Sequence, residues 1–333
     1  MRHVRLALIG FGHVGRALAT LLLAERRRLP FEVTAIATRG HGTTIDSAGL
    51  DLEHALSAGR AASDRPWRIE DLPADVIVEL TSLEVRTGEP ALSYLRSALR
   101  SGRHVVTSNK GPIALAHREL EALAHRHGVL LRYEATVADC LPVFDLVRAA
   151  LPLAEIRAIR GVVSSTTNHI LSAAARDVPF ADALAEAQRL GIAEADPSAD
   201  LEGWDAAAKA TILANALMGA ELRPGDVERE AIDEHVATRA REAVAHGARI
   251  RPLIEITREG GGVHASFGPR RLDPLDALFA VDGFSMGLVL DTDLAGRLAV
   301  QLHEPHVEQT AYAVLADLLD IHARVAGTAP VRP

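Results

Sequence analysis

The sequence lacks several features that define common classes of protein. Its 333 residues contain one cysteine, Cys140, so an intramolecular disulfide is excluded and a reducing, cytoplasmic location is expected. No stretch approaches the roughly 20 consecutive apolar residues that a membrane-spanning helix needs, so no membrane partner is expected. The net charge is -8 and the chain has no basic tail or stripe, which argues against a nucleic-acid partner. No spacing of histidine, cysteine and aspartate suggests a zinc site.

The N-terminal segment contains a glycine loop. Gly10, Gly12 and Gly15 form a G-x-G-x-x-G pattern that follows a short apolar strand, residues 4–10, and opens a helix, residues 14–29. A short apolar run that ends in this motif argues against a signal peptide. In a dinucleotide-binding unit the first glycine allows a tight turn, the second admits the pyrophosphate and the third lets helix and strand pack closely.

The helix that follows the glycine loop presents free N–H groups and positive potential to a phosphate. The motif therefore predicts a βαβ unit that binds NADP or NAD, with a plain glycine-rich turn as the alternative. The residues predicted to contact this coenzyme are Gly10, Phe11, Gly12, His13, Val14 and Gly15.

The second strand, residues 32–38, ends without the acidic residue that usually binds the adenosine ribose. Thr38 and Arg39 stand there instead, and Asp46 lies too far along the chain. Because an arginine at this position can pair with a 2′-phosphate, the sequence favours NADP over NAD. The alternative is that Arg39 is an ordinary surface arginine.

Strand and helix patterns alternate through the first 140 residues, which predicts an α/β fold with a doubly wound, Rossmann-type parallel sheet. Further strands are predicted at 75–81, 104–108 and 129–136, and helices at 89–101 and 113–127. After about residue 150 the pattern changes to that of an α+β domain. It predicts a strand at 155–167, helices at 168–176, 181–190 and 203–219, and strands within 248–303.

These patterns predict two domains. Residues 1–140 form a coenzyme-binding domain, onto which a C-terminal helix, about 305–325, packs back. Residues 141–304 form a domain for substrate binding and dimerisation.

Residues 203–219 form a helical pattern that is apolar nearly all round. Its only charged residues, Asp205 and Lys209, are four residues apart and therefore share one face. A helix this apolar is expected to be buried, and burying a charged pair costs several kcal/mol per ion before compensation. Because such pairs concentrate at functional sites, this one predicts a catalytic site; an ordinary surface salt bridge is the alternative.

An acidic segment precedes this helix and contains Glu194, Asp196, Asp200 and Glu202. It predicts either a site for a cationic group, such as a substrate ammonium, or a solvated loop. Lys110 follows a predicted strand, at the sheet edge where open α/β sheets bind ligands. It is expected to face the coenzyme cleft, and an exposed loop lysine is the alternative.

Taken together, these segments resemble the homoserine dehydrogenase family in its short form, without a regulatory ACT domain. The resemblance runs from about residue 4 to residue 320, and residues 185–214 are its most specific part. It rests on the segments IGFGHVGR, GEPALSYLRSALRSGRHVVTSNKGPIALAH, RYEATVADCLPVF, GVVSSTTNHIL, EAQRLGIAEADPSADLEGWDAAAKATILA and EQTAYAVLADLL.

The resemblance implies reversible, NAD(P)-dependent oxidation of L-homoserine to L-aspartate 4-semialdehyde, a step in threonine, methionine and isoleucine biosynthesis. It implies that Lys209 transfers the proton, that Asp205 orients the substrate and supports Lys209, and that Lys110 is a second catalytic lysine that also lies at the coenzyme. The other implied contacts are Glu194, Asp200, Ser165 and Thr166 for the substrate, Thr81 and Ser82 for the coenzyme, and Glu134 and Val137 for a sodium ion. A homodimer is also implied.

The chain departs from the family pattern at positions that are often glycine. Ala138, Asp139 and Cys140 stand where many members have small residues, and LHEPHVEQT replaces a glycine-rich stretch before the last helix. Ser164-Ser165 replaces a pair that often begins with asparagine, and an asparagine expected near Ser285 is missing. These departures motivate one alternative, a paralogous dehydrogenase for a related amino-acid alcohol or semialdehyde. A second alternative is a catalytically weak NADP-binding or regulatory protein, and the presence of Asp205, Lys209 and Lys110 argues against it.

Overall fold

The computed structural model describes residues 3–40, 42–57, 67–84 and 86–327. Contacts divide the chain into two compact units: Met1–Cys140 with His306–Pro333, and Leu141–Pro305. Within the described ranges, no helix has both the length and the apolar character needed to cross a membrane.

The first unit alternates strands and helices. Its strands are β1 (Val4–Ile9), β2 (Phe31–Thr38), β3 (Gly42–Ile45), β4 (Val76–Glu79), β5 (His104–Thr107) and β6 (Leu131–Arg132). Its helices are α1 (His13–Ala24), α2 (Leu52–Ser57), α3 (Ala91–Arg100), α4 (Lys110–His127) and α11 (Val307–Ala326).

The six strands form one sheet in the order β3-β2-β1-β4-β5-β6, parallel except for β3, which pairs antiparallel with β2 at the edge. The central strands are continuous apolar runs because helices cover both faces of such a sheet. Leu6, Leu8 and Val78 are fully buried and share a core with Val314 and Leu318 of α11. The predicted Rossmann-type fold of this part of the chain is confirmed.

The second unit contains a second sheet and its own helices. The helices are α5 (Val143–Ala150), α6 (Ser165–Ala174), α7 (Phe180–Arg189), α8 (Ser198–Leu201), α9 (Trp204–Met218) and α10 (Glu234–Ala245). The strands are β7 (Ile156–Val162), β8 (Glu228–Arg229), β9 (Arg249–Glu259), β10 (Gly262–Leu272), β11 (Met286–Thr292) and β12 (Arg297–Leu302).

This sheet has the order β12-β11-β7-β9-β10-β8 and is antiparallel except for the short β8–β10 pair. Ile254 and Phe267 are register partners on β9 and β10. The start of α9 lies against this face of the sheet, since a Cβ on Gly203 would lie 2.4 Å from the Phe267 ring. The second unit therefore combines a mostly antiparallel sheet with helices, which agrees with the α+β domain that the sequence predicts.

Three predicted elements differ from the structure. The strand expected at 129–136 is only the two residues of β6, because a short 3-10 helix takes up Glu134–Thr136. The strand expected at 155–167 ends at Val162, and the β-branched threonines after it begin α6, where Ser164 caps the helix by accepting from the Thr167 N–H. The helix expected at 14–29 ends at Ala24.

A buried arginine holds the loop between β10 and β11 against α6. The side chain of Arg251 is only 2% exposed; its guanidinium donates to Ser172 Oγ at 2.6 Å and to Asp282 Oδ1 at 2.9 Å. Burial opposes ionisation of Asp282, but bonds from Ser172 and Arg251 prevail and lower its pKa to about 2. Asn168 of α6 adds three bonds from its side-chain N–H₂ to the carbonyls of Val281, Gly283 and Ser285.

We expect Asp282→Asn to destabilise the chain in a pH-dependent way. Because the folded pKa lies below the ordinary value of 3.8, the stabilisation by Asp282 is complete above that value and is lost as the pH falls towards about 2. The difference in free energy of unfolding between the unmodified chain and the variant should therefore be constant near neutrality and shrink through this window. Urea unfolding at a series of pH values measures it.

Asp273→Asn is the matched control, because Asp273 is an exposed aspartate in the same loop. Its effect on stability should be small. A pH-independent effect of Asp282→Asn would contradict the assigned ion pair.

Candidate functional site

The glycine loop has the geometry that a dinucleotide requires. Gly10 has φ +97°, and a Cβ there would lie 2.6 Å from the Leu80 carbonyl oxygen. A Cβ on Gly15 would lie 2.8 Å from the Gly10 oxygen, whereas one on Gly12 would meet no atom within 4 Å. Gly10 and Gly15 are therefore fixed by close backbone packing, and the space at Gly12 is open at the N-terminus of α1, where N–H groups can receive a phosphate.

Phe11, His13 and Val14 line the same turn, and His13 and Val14 begin α1. Arg39 lies directly after β2 in the turn to β3 and is exposed. Burial raises the pKa of Tyr94 in α3, and the positive charge of Arg39 opposes that rise. Arg39 therefore stands at the end of β2, where the adenosine ribose of a dinucleotide binds in this fold.

The loops after β4 and β5 contain Thr81, Ser82 and Lys110. Asn109 joins the two loops: it caps α4, and its side-chain N–H₂ donates to the carbonyls of Thr81 and Ser82 at 3.3 and 3.4 Å. Lys110 is the first residue of α4 and is half-buried. The structure thus brings Thr81, Ser82 and Lys110 to one edge of the sheet.

Glu79, the last residue of β4, was not singled out from the sequence. Its side chain is completely buried at the same edge. One signal was available, because Glu79 is the only charged residue in the run VIVEL. A charge in an otherwise continuous apolar strand is rare without a partner or a function.

In the second unit, Lys209 and Asp205 form a short ion pair on α9. Lys209 Nζ lies 2.7 Å from Asp205 Oδ2, and the two side chains are 12% and 10% exposed. Two features define the start of α9. Gly203, the residue before the helix, has φ +78°, and the Arg229 guanidinium stacks 3.6 Å from the centroid of the Trp204 ring. The pair is therefore held in place on a helix that is buried nearly all round.

Lys209 also contacts the segment that leads into α6. Its Nζ donates to the Val163 carbonyl at 2.5 Å. Ser164, Ser165 and Thr166 follow directly; Thr166 is 4% exposed, and Ser165 is the first residue of the helix. The structure therefore places the Asp–Lys pair next to the seryl and threonyl residues predicted to seat the substrate.

The acidic loop lies between α7 and α9. Glu194 is exposed and its backbone carbonyl accepts from the Gln188 side chain at 3.1 Å, whereas Asp200 is half-buried within the short helix α8. Because α8 packs on both α6 and α9, Asp200 belongs to the same cluster of elements as Lys209.

Glu134, one of the two predicted sodium ligands, lies beside a second buried acidic residue, Asp317, in the first unit. Glu134 is 3% exposed, and its N–H donates to Asp317 Oδ2 of α11 at 2.9 Å; Asp317 is fully buried. Val137 is 1% exposed just after the 3-10 helix. Carboxylate and carbonyl oxygens are the ligands that hard cations prefer, so the donor set fits a sodium ion.

Two positions where the family pattern often has glycine keep a left-handed backbone. Asp139 has φ +50° and Glu304 has φ +44°. Aspartate tolerates this region better than most residues, and Asp139 is further held by a bond from Thr310 Oγ1 at 2.7 Å. Cys140 is partly buried, and burial and the charge of Asp139 raise the pKa of its thiol. At these two positions the backbone has a conformation that glycine adopts more readily than other residues.

Comparison with known proteins agrees with this geometry. The family model for homoserine dehydrogenase matches residues 142–319, and the model for the homoserine dehydrogenase NAD binding domain matches residues 10–134. Homoserine dehydrogenase of Methanocaldococcus jannaschii is 36% identical, over 95% of this chain and 97% of its own length. The NAD(+)-dependent homoserine dehydrogenase of Pseudomonas canavaninivorans is 35% identical, over 97% of both chains.

Solved structures give the same result. A putative homoserine dehydrogenase from Archaeoglobus fulgidus has a TM-score of 0.86 at 35% identity, covering 96% of this chain and 99% of its own. A hyperthermophilic archaeal homoserine dehydrogenase in complex with NADPH has a TM-score of 0.80 at 28% identity, covering 99% and 100%. The predicted resemblance is confirmed, and the chain belongs to the homoserine dehydrogenase family of NAD(P)-dependent oxidoreductases.

Proposed function

We propose that this chain oxidises L-homoserine reversibly to L-aspartate 4-semialdehyde, a reaction of amino-acid biosynthesis, and that Lys209 transfers the proton. The first unit binds the coenzyme and the second binds the substrate. The observation that carries the assignment of Lys209 is its short ion pair with Asp205 beside the N-terminus of α6. Purified protein should therefore reduce coenzyme with homoserine, and homoserine should give a higher kcat/KM than other 4-hydroxy amino acids.

The contacts of Lys209 suit proton transfer. A neutral lysine amine has two N–H donors and one lone pair. Among the contacts of the described residues, Asp205 and the Val163 carbonyl engage the two donors, which leaves the lone pair for a substrate hydroxyl. In the oxidation, the Lys209 amine takes the hydroxyl proton and becomes an ammonium as the carbinol carbon loses hydride, for which a bound coenzyme would be the acceptor; in the reverse direction the ammonium returns the proton. Asp205 keeps Nζ in one position throughout.

The remaining substrate contacts follow from the same elements. Ser165 and Thr166 lie at the N-terminus of α6, which favours a negatively charged group such as the substrate carboxylate. Glu194 and Asp200 supply carboxylates for the substrate ammonium and hydroxyl. Lys110 acts as a second catalytic lysine at the coenzyme edge of the first unit.

We expect Lys209→Met to lower kcat by about 10²- to 10⁴-fold, the usual contribution of a positioned proton-transfer group. The change also leaves Asp205 buried without its cation, which costs about 3–5 kcal/mol of stability. Steady-state oxidation of homoserine, together with thermal unfolding, measures the two effects.

The double variant Asp205→Asn/Lys209→Met separates chemistry from folding, because it replaces the charged pair by two neutral side chains of similar shape. It should recover much of the thermal stability while kcat stays low. Wild-type kcat in either variant would contradict the role of Lys209.

The glycine loop of the first unit fits a dinucleotide coenzyme. Because Gly12 has no Cβ, the space beside its backbone is open to the coenzyme. When bound, NADP or NAD supplies the hydride acceptor. The α1 N-terminus receives the pyrophosphate. Thr81, Ser82 and Lys110 lie on the β4–β5 side of the cleft, and Arg39 lies at the end of β2. We propose that Arg39 pairs with a 2′-phosphate and makes NADP the preferred coenzyme.

Arg39→Ala is expected to lower kcat/KM for NADP by about 10- to 100-fold, because a hydrogen bond between charged groups contributes about 1.5–3 kcal/mol. The value for NAD should change little, since NAD lacks the 2′-phosphate. Arg27→Ala, at an exposed arginine after α1, is the control and should affect neither coenzyme. Equal losses with both coenzymes, or no loss with NADP, would exclude pairing of Arg39 with the 2′-phosphate.

A sodium ion is proposed at Glu134 and the Val137 carbonyl. The support is chemical: an anionic oxygen and a carbonyl lie within three residues of each other, in a part of the unit that excludes water. A bound cation would offset the cost of burying the Glu134 carboxylate beside Asp317. The residues would thereby hold the turn that leads to Cys140.

We also propose a homodimer formed through the second sheet. Arg160, Glu255 and Val289 lie on the face opposite the Phe267 side, according to the strand register. Arg160 and Glu255 are 27% and 30% exposed although they lie on inner strands of the sheet. Ala158 lies one pleat away on the same face. A partly exposed face at the centre of a sheet is suited to self-association.

Ala158→Glu should break this dimer, because it places bulk and a second negative charge beside Asp291. Light scattering after size-exclusion chromatography should give twice the chain mass of 35.6 kDa for the unmodified protein and the single mass for the variant. Ala245→Glu, the same change at an exposed position of α10, should leave the dimer intact. A monomeric unmodified protein would refute the dimer itself.

A further inference from the structure

The carboxyl ends of β1, β4 and β5 lie in a row. Ile9, Glu79 and Thr107 are partners in the strand register, and each is the last residue of its strand. The glycine loop follows the first strand, Thr81 and Ser82 follow the second, and Lys110 follows the third. Glu79 therefore stands between the loop that receives the pyrophosphate and the loop that leads to Lys110.

Both carboxyl oxygens of Glu79 accept hydrogen bonds. Oε1 accepts from the Thr81 N–H at 2.8 Å and from the Thr81 hydroxyl, and Oε2 accepts from the Thr107 hydroxyl at 2.9 Å. Thr107 Oγ1 in turn accepts from the Asn109 N–H at 3.0 Å. Each threonine hydroxyl donates its single proton to Glu79, so the carboxyl group sets the orientation of both.

The bonds continue into the two loops. The Asn109 side chain donates to the Thr81 and Ser82 carbonyls and accepts from the Gly111 N–H at 3.2 Å, within the first turn of α4. A Cβ on Gly111 would lie 2.4 Å from the backbone carbonyl oxygen of Glu84, so the loop after β4 and the start of α4 are in backbone contact. A displacement of Glu79 would therefore reach both loops.

Burying the Glu79 carboxyl group costs free energy, and filling the core does not require a carboxyl group at this position. Its side chain is 0% exposed, and burial raises its pKa, a rise that the bonds from Thr81 and Thr107 oppose. An apolar residue of similar size would avoid this cost at an ordinary core position. The network is consequently suited to a place where loop geometry has to be fixed within a fraction of an ångström.

We infer that Glu79 is a positioning residue of the coenzyme cleft, which fixes the loops of Thr81, Ser82 and Lys110 through Thr107 and Asn109. This inference rests on the proposed binding of the coenzyme by the first unit. It assigns Glu79 no contact with substrate. Its loss should weaken coenzyme binding and leave the recognition of homoserine by the second unit largely unchanged.

The test is Glu79→Gln, which keeps the shape but replaces one acceptor oxygen by a donor. The dissociation constants for NADPH and NADH, measured by fluorescence without substrate, should rise by about 10- to 100-fold. KM for homoserine at saturating coenzyme should stay within about threefold. Unchanged coenzyme affinity in a folded Glu79→Gln protein would overturn the inference. An equal rise in the coenzyme dissociation constants and in KM for homoserine would also overturn it.

Two variants of Thr107 give a second test that does not depend on the folding of Glu79→Gln. Thr107→Val removes the hydroxyl at constant shape and should weaken coenzyme binding, and Thr107→Ser should restore most of it. Thr34→Val is the matched control, since Thr34 is a fully buried threonine of β2 that donates to the Pro73 carbonyl at 2.8 Å. It should lower stability without changing coenzyme affinity.

If Thr107→Val and Thr107→Ser bind coenzyme equally well, or if Thr34→Val weakens binding as much as Thr107→Val, the inference is wrong. These measurements need no substrate, so their outcome is separate from that of the proposed function. A failure of the unmodified chain to oxidise homoserine would contradict the proposed function, whereas coenzyme affinities would still decide the role of Glu79.

Discussion

The ion pair between Lys209 and Asp205 is the interaction on which the proposed chemistry of the second unit depends. Two charges placed on a buried helix cost several kcal/mol each unless geometry compensates them. Here the compensation comes from a 2.7 Å contact between them and from the Val163 carbonyl. Because Val163 precedes the α6 N-terminus, the same bonds that keep the charges buried also place Nζ beside the residues that would seat a substrate.

The first unit uses a related arrangement at a different edge. Glu79 is buried at the carboxyl end of β4, and its carboxyl oxygens are bonded to Thr81 and Thr107. In each unit, ionisable side chains inside an apolar element make hydrogen bonds to a loop or to the segment before a helix. An apolar core would be more stable, but it would not fix the direction of a hydroxyl or an ammonium group.

The departures from the family pattern have a clearer meaning with the backbone in view. Asp139 and Glu304 occupy left-handed conformations, with φ of +50° and +44°. A left-handed conformation at a residue with a side chain costs about 1–2 kcal/mol. What changes is the chemistry that these turns present, namely two added carboxylates and the partly buried thiol of Cys140.

The sequence by itself determined the Rossmann-type sheet, the glycine loop, the buried Asp205–Lys209 helix and the family, because local periodicity and spacing specify each of them. It did not determine the end of β7, the shortness of β6 or the role of Glu79. The threonines after Ser164 have high strand propensity, yet the cap at Ser164 makes them helical. The partners of Glu79 lie 2 and 28 residues away, so only the register of β4 and β5 brings them together. Tertiary structure decided the role of Glu79, because a hydrogen-bond partner across strands leaves no local trace in the chain.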